Sequence, residues 1–170
     1  MAYRNKTYVA FDGDEDICSY YLMKAWKQSD NTDFCFYDAH DLNNARDTSQ
    51  EESIKKQLAE RMKNSKTFVL LLGEKTKNLR KFVPWEIEHA IKLDLPIIVV
   101  NLNKKRNIDY ERMPKLLSNK LCIVCSFNPK IMQYSLENWP KRHKELKLEK
   151  DIDPRPRYWK EKVYEKLGRV

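Results

Sequence analysis

Glu86 is the carboxylate whose setting most invites chemistry. It follows Pro84 and Trp85 in what reads as the first turn of a helix. From spacing alone an ordinary role is favoured: a Glu there complements the helix dipole, worth about 0.3–1 kcal/mol. Trp85 is read as a core anchor or a stacking surface, with core packing the safer reading of a single aromatic. Four polar segments, 12–16, 38–48, 73–80 and 101–107, follow apolar strand-like runs. In an open parallel sheet such segments meet at the carboxyl edge, where ligands bind.

Other chemistries are excluded by what the chain lacks. Its glycines are Gly13, Gly73 and Gly168. Neither a GxGxxG nor a GxxxxGK[ST] can be written with them, which argues against Rossmann dehydrogenases and P-loop hydrolases. No GxSxG elbow occurs. His40, His89 and His143 show no HExxH spacing, and Cys122 and Cys125 form a CxxC without a second. In a strand, residues three apart point to opposite faces, so this pair is ill-placed to chelate or to close a disulfide. No metal is expected.

The elements that must position Glu86 follow from periodicity. Residues 6–11 (KTYVAF), 33–37 (DFCFY), 65–72 (SKTFVLLL), 95–101 (LPIIVVN) and 121–126 (LCIVCS) read as five strands. Several are apolar on both faces, as in a doubly covered parallel sheet. Helices alternate with them. One opens near Asp14 to Asp16. A second, capped at Thr48 or Ser49, carries Ile54, Leu58 and Met62. A third starts near Pro84 with Ile87, Ala90 and Ile91 on its core face. A short helical piece is expected over 110–117. Another helix begins at Asn128 and breaks at Pro140. Amphipathic basic helices are expected over 141–150 and 158–167, separated by Pro154 and Pro156. The order predicts an α/β fold: a flavodoxin-like, doubly wound, mainly parallel five-stranded sheet with a C-terminal helical extension.

The 170 residues suit one domain, with a core over about 6–140 and a basic extension over 141–170. Apolar runs are too short to span a bilayer, and the first residues, MAYRNK, form no apolar signal region. A cytoplasmic location with no membrane partner is expected. The net charge of +8 is uneven: residues 1–53 carry five Lys/Arg against eleven Asp/Glu. The basic remainder could attract phosphates or nucleic acid, although a solvated basic face is the plainer reading.

Several motifs in order resemble the TIR-like domain family. The stretch FVPWEIEHAI (82–91) is similar to its W-V-x-x-E-I-x-x-A signature, and FVLLLGEKT (68–76) to its strand-and-loop hVLhG-x-x-T. LPIIVVNL (95–102), FYDA (36–39) and IKKQL (54–58) also fit, so the resemblance spans about residues 6–103. The nearest branch is the TIR-like subfamily of the bacterial anti-phage Thoeris system.

The resemblance implies an enzyme that takes NAD+ as substrate, with no further cofactor. It would cleave the nicotinamide–ribose bond and make an ADP-ribose-derived, cyclic messenger for a downstream effector. Glu86 matches the family's catalytic glutamate. Phe11 and Asp12 stand in its substrate-lining loop, where many members carry Ser-Phe or Ser-Tyr. Asp38, His40 and Asp41 stand in a loop that contacts substrate or a neighbouring subunit, and Trp85 is a further candidate for the substrate pocket. For His40 a solvated loop histidine is as good a reading. Self-association, or association with other TIR-like subunits, is implied as well.

The alternative function is a non-catalytic TIR-like interaction module, with the polar 38–48 loop and the basic tail as interfaces. Nucleic-acid binding ranks last, because the basic helices carry no helix-turn-helix or zinc-finger pattern.

Overall fold

A computed structural model describes residues 6–29 and 51–168. Strand β1 (Thr7–Ala10) leads into α1 (Ile17–Gln28); α2 (Glu51–Lys63) precedes β2 (Thr67–Leu72). Then come α3 (Phe82–Lys92), β3 (Ile97–Asn101), β4 (Cys122–Ser126), α4 (Pro129–Lys147), β5 (Arg157–Tyr158) and α5 (Glu161–Leu167). The strands form one sheet in the order β1-β2-β3-β4-β5, every pairing parallel. The expected strand over 33–37 and the expected cap at Thr48 or Ser49 lie outside the described residues.

Alternation along each strand divides the core in two. Val9, Val69, Leu71, Ile98, Val100, Ile123 and Cys125 face α1, α4 and α5, where Tyr20, Met23, Leu136, Trp139 and Tyr164 meet them. Tyr8, Ala10, Phe68, Leu70, Leu72, Val99 and Val124 face α2 and α3, packing on Ile54, Leu58, Met62, Val83 and Ile87. Helices therefore cover both faces, and the doubly wound α/β architecture stands. Cys122 and Cys125 fall in opposite halves of this core. Burial pushes both thiols up to about 12, so they are inert apolar filling.

Four expectations change. Pro140 does not end its helix: α4 runs on to Lys147. An interior proline costs about 3 kcal/mol. Leu136, Trp139, His143 and Leu146 lie buried along one side of α4, and burying large apolar side chains at about 1.5–3 kcal/mol each outweighs that cost. Second, Tyr158, expected to open the last helix, is in a strand with Arg157. They pair with Ile123 and Val124 as the fifth described strand. Pro154 and Pro156 favour extended backbone in the residues before them, which prepares that pairing. Third, the piece expected over 110–117 shortens to a 3₁₀ turn, Lys115–Leu117. Fourth, α3 starts at Phe82, two residues before Pro84; proline is tolerated in the first turn, where no N–H has a helical partner.

The carboxyl edge is not uniformly open. At β3, Asn101 Nδ2 donates to the carbonyls of Lys105 and Asn107 at 2.9 and 2.8 Å, pinning the loop that follows. At β4, the Tyr164 hydroxyl accepts from the Ser126 N–H at 3.3 Å. The Arg106 guanidinium lies 4.5 Å from the Tyr164 ring centroid and pairs with Glu161. The last helix thus occupies the β4 end, and the room for a ligand lies towards β1 and β2. Among the described residues, no helix is long and apolar enough to cross a membrane.

Candidate functional site

The buried face of α3 is made by Val83, Glu86, Ile87 and Ala90. Positions at i, i+3, i+4 and i+7 of an amphipathic helix ordinarily carry apolar groups, and the second of these is a carboxylate. Glu86 is 2% exposed. Because α3 begins at Phe82, Glu86 sits past the first turn on the inner side, and a dipole-complementing role does not explain its position. Across from it, the Tyr8 hydroxyl donates to Oε1 at 2.5 Å. Tyr8 is itself buried and stacks on Phe68, with centroids 5.8 Å apart. A strand and a helix, distant in sequence, hold one carboxylate in a chosen orientation. Burying a polar group in this way is costly unless it is hydrogen-bonded.

A cleft of about 430 Å³ lies at the carboxyl end of β1. Phe11, Asp12, Gly13 and Asp14 form one wall, and Leu79, Arg80, Lys81, Phe82 and Val83 form the other. Its lining reaches α3 at Val83, one helical turn before Glu86. Two expected site residues, Phe11 and Asp12, therefore line this cleft; Glu86, fully buried, lines neither this cleft nor the one beside it. Phe11 stacks on Tyr20 at 4.7 Å, which fixes its ring. Asp12 Oδ1 accepts from the N–H groups of Asp14 and Glu15, folding the loop back upon itself. Trp85 is placed elsewhere. It sits half-buried between α2 and α3, stacked on His89 at 5.1 Å, with Lys55 Nζ 5.9 Å from its ring centroid. It lines neither this cleft nor the one beside it. Asp38, His40 and Asp41 lie outside the described residues.

Three residues of this region, Asp16, Gly73 and Thr76, stood in edge loops or a family motif in the sequence but were given no part in the site. The Gly73 N–H donates to Thr76 Oγ1 at 2.9 Å, and the Thr76 hydroxyl binds the Asp16 carboxylate. Gly73 is required by close approach, since a Cβ there would stand 2.1 Å from Asp16 Oδ2. The signal was the G-x-x-T spacing of Gly73 and Thr76 directly after a long apolar strand.

Burial, then the nearby Asp12 and Glu15 carboxylates, push Asp16 up to about 6; Arg112 and the Thr76 hydroxyl pull the other way. An acid raised in the folded state penalises folding above its folded pKa, and the penalty vanishes below its unfolded value. Solvent screening trims the size of the effect at this partly open site. Asp16→Asn, which keeps an acceptor for Thr76, is therefore expected to melt a few degrees above wild type at pH ~8. The difference should close at pH ~4. Thermal melts across pH check this; a deficit at the higher pH would refute it.

Residues 8–107, well over half of the chain, match the family model for the Thoeris protein ThsB, TIR-like domain. The chain belongs to that family. The TIR-like match runs from β1 through the loop after β3, so it takes in Tyr8, Phe11, Asp12, Asp16, Gly73 and Glu86. It stops before β4, α4, β5 and α5, the part of this TIR-like chain that closes the far end of the sheet. Membership links the chain to the Thoeris anti-phage defence system.

Proposed function

We propose that this TIR-like chain cleaves the nicotinamide–ribose bond of NAD+, with Glu86 as the catalytic carboxylate. The observation that carries the proposal is the buried Glu86 side chain, oriented by Tyr8 one helical turn beyond Val83, where α3 borders the cleft at the β1 edge. Nicotinamide in NAD+ is a cationic leaving group, so its departure calls for little acid help. The ribose left behind approaches an oxocarbenium ion. A pre-positioned carboxylate stabilises that charge, as acidic groups do in glycoside cleavage. Phe11 and Asp12 would form the wall against which the substrate lies. The ADP-ribose unit then passes to water or closes on itself, giving a nucleotide signal for a downstream effector. Self-association or assembly with other TIR-like subunits, in the cytoplasm, completes the reading.

The test is product analysis by mass spectrometry. Purified protein is incubated with NAD+, alone and with extract of phage-infected cells, beside Glu86→Ala. Nicotinamide from the wild type and none from the variant is the expected result. No nicotinamide under either condition, or full activity in Glu86→Ala, sinks the proposal.

Tyr8 enters as a positioning residue. A hydrogen bond to a charged acceptor is worth about 1.5–3 kcal/mol. Tyr8→Phe is therefore expected to lower kcat by roughly 10- to 100-fold with KM little changed. A parallel rise in KM with kcat intact would instead assign Tyr8 to binding.

A further inference from the structure

A second cleft, of about 480 Å³, lies on the other side of the 79–83 segment. One wall is the 3₁₀ turn Thr76–Asn78 and the start of α3; the other is the 110–116 stretch between β3 and β4. Lys77 Nζ donates to the Glu111 carbonyl at 2.5 Å and ties the two walls together. Nothing in the reaction above uses this space.

Its chemistry is distinctive. Val83, Ile87 and Met113 supply a buried apolar floor. Lys77, Arg80 and Lys115 stand around it, against the single acid Glu111. Among the described residues, Arg80 and Lys115 make no ion pair. The adjoining start of α3 adds to the positive potential: no acid lies in its first turn, and Arg80 and Lys81 directly precede it. Like charge at the positive end of a helix is unfavourable, and a bound anion relieves it. At the rim, Tyr110 is 80% exposed, with its ring free to stack. The volume falls in the range of small-ligand pockets, about 300–1,000 Å³.

We propose that this cleft is a second ligand site, separate from the cleft at the β1 edge, that takes a phosphate-bearing molecule with a planar ring, of mononucleotide size. The phosphate sits among Lys77, Arg80 and Lys115, and the ring lies between Tyr110 and the apolar floor. Because the two clefts share Leu79, Arg80 and Val83, occupancy here bears directly on a wall of the β1-edge cleft.

Titration calorimetry tests this with AMP and inorganic phosphate as probes. The proteins are wild type, Lys77→Ala/Lys115→Ala, Tyr110→Ala and Glu86→Gln. AMP should bind the wild type, and more weakly as salt is added. The double lysine variant should lose about tenfold or more in affinity, the scale of one charge-assisted contact. Tyr110→Ala should weaken AMP while leaving inorganic phosphate unchanged, and Glu86→Gln should bind AMP as the wild type does. The lysines and Tyr110 are exposed, so these variants keep the fold, and a Lys115→Glu variant should weaken AMP further. The proposal is overturned if AMP fails to bind at millimolar concentration or if the lysine variant binds it equally well. Loss of AMP binding in Glu86→Gln would also overturn it, by tying the nucleotide to the catalytic carboxylate.

Discussion

Glu86→Gln is expected to reduce nicotinamide release from NAD+ by roughly 100- to 1,000-fold while leaving the protein as stable as wild type or more so. The amide has the shape of the carboxylate and still offers Tyr8 an acceptor, so the bond across to β1 survives. What disappears is the negative charge. Removing one pre-positioned group that stabilises transition-state charge costs about 2.7–4 kcal/mol, which sets the loss in rate. A buried charge is itself expensive, and a neutral isostere relieves that expense. The combination is diagnostic. Rates from single-turnover assays and midpoints from urea unfolding should move in opposite directions. If the variant is destabilised and retains its rate, Glu86 is a structural group and the catalytic reading is wrong.

The largest effect on stability is expected at Trp139. This side chain is 1% exposed on α4, edge-on to Trp159 with centroids 6.4 Å apart, and 5.9 Å from the His143 ring. It lies where the helix passes Pro140 and where the C-terminal segment comes back to the sheet. Truncation to alanine leaves a void that its neighbours fill only in part, at a cost of about 3–5 kcal/mol. That is a large share of the roughly 5–15 kcal/mol by which domains are stable. Trp139→Phe should cost far less, because among the described residues the indole N–H has no hydrogen-bond partner and nothing polar is lost. Urea unfolding of the two variants decides it. A loss in Trp139→Ala no larger than that of a surface substitution would show that α4 beyond Pro140 unfolds separately from the sheet.

Much of the scaffold was legible because strands buried on both faces leave a plain trace. The runs over 65–72, 95–101 and 121–126 could hardly be anything else in so charged a chain. Glu86 stood out through its motif, yet its burial could not be read, since one extra turn at the start of α3 decides whether it sits at the helix end or on the inner face. Tyr8 was hidden for a related reason: in a strand, an aromatic that packs and an aromatic that donates a hydrogen bond look alike. The contact between Asp16 and Gly73 joins two loops far apart in the chain and obeys no local period. Pro140 and the pair Arg157–Tyr158 misled because local preference was outvoted by burial in one case and by strand pairing in the other.

The far side of the sheet ends in a strand of only two residues, Arg157 and Tyr158, entered from Pro154 and Pro156. Proline has no N–H to offer, so a foreign strand arriving at this border would find scarcely a single rung to grip. Such a blunt margin discourages runaway stacking of copies of the chain into fibres.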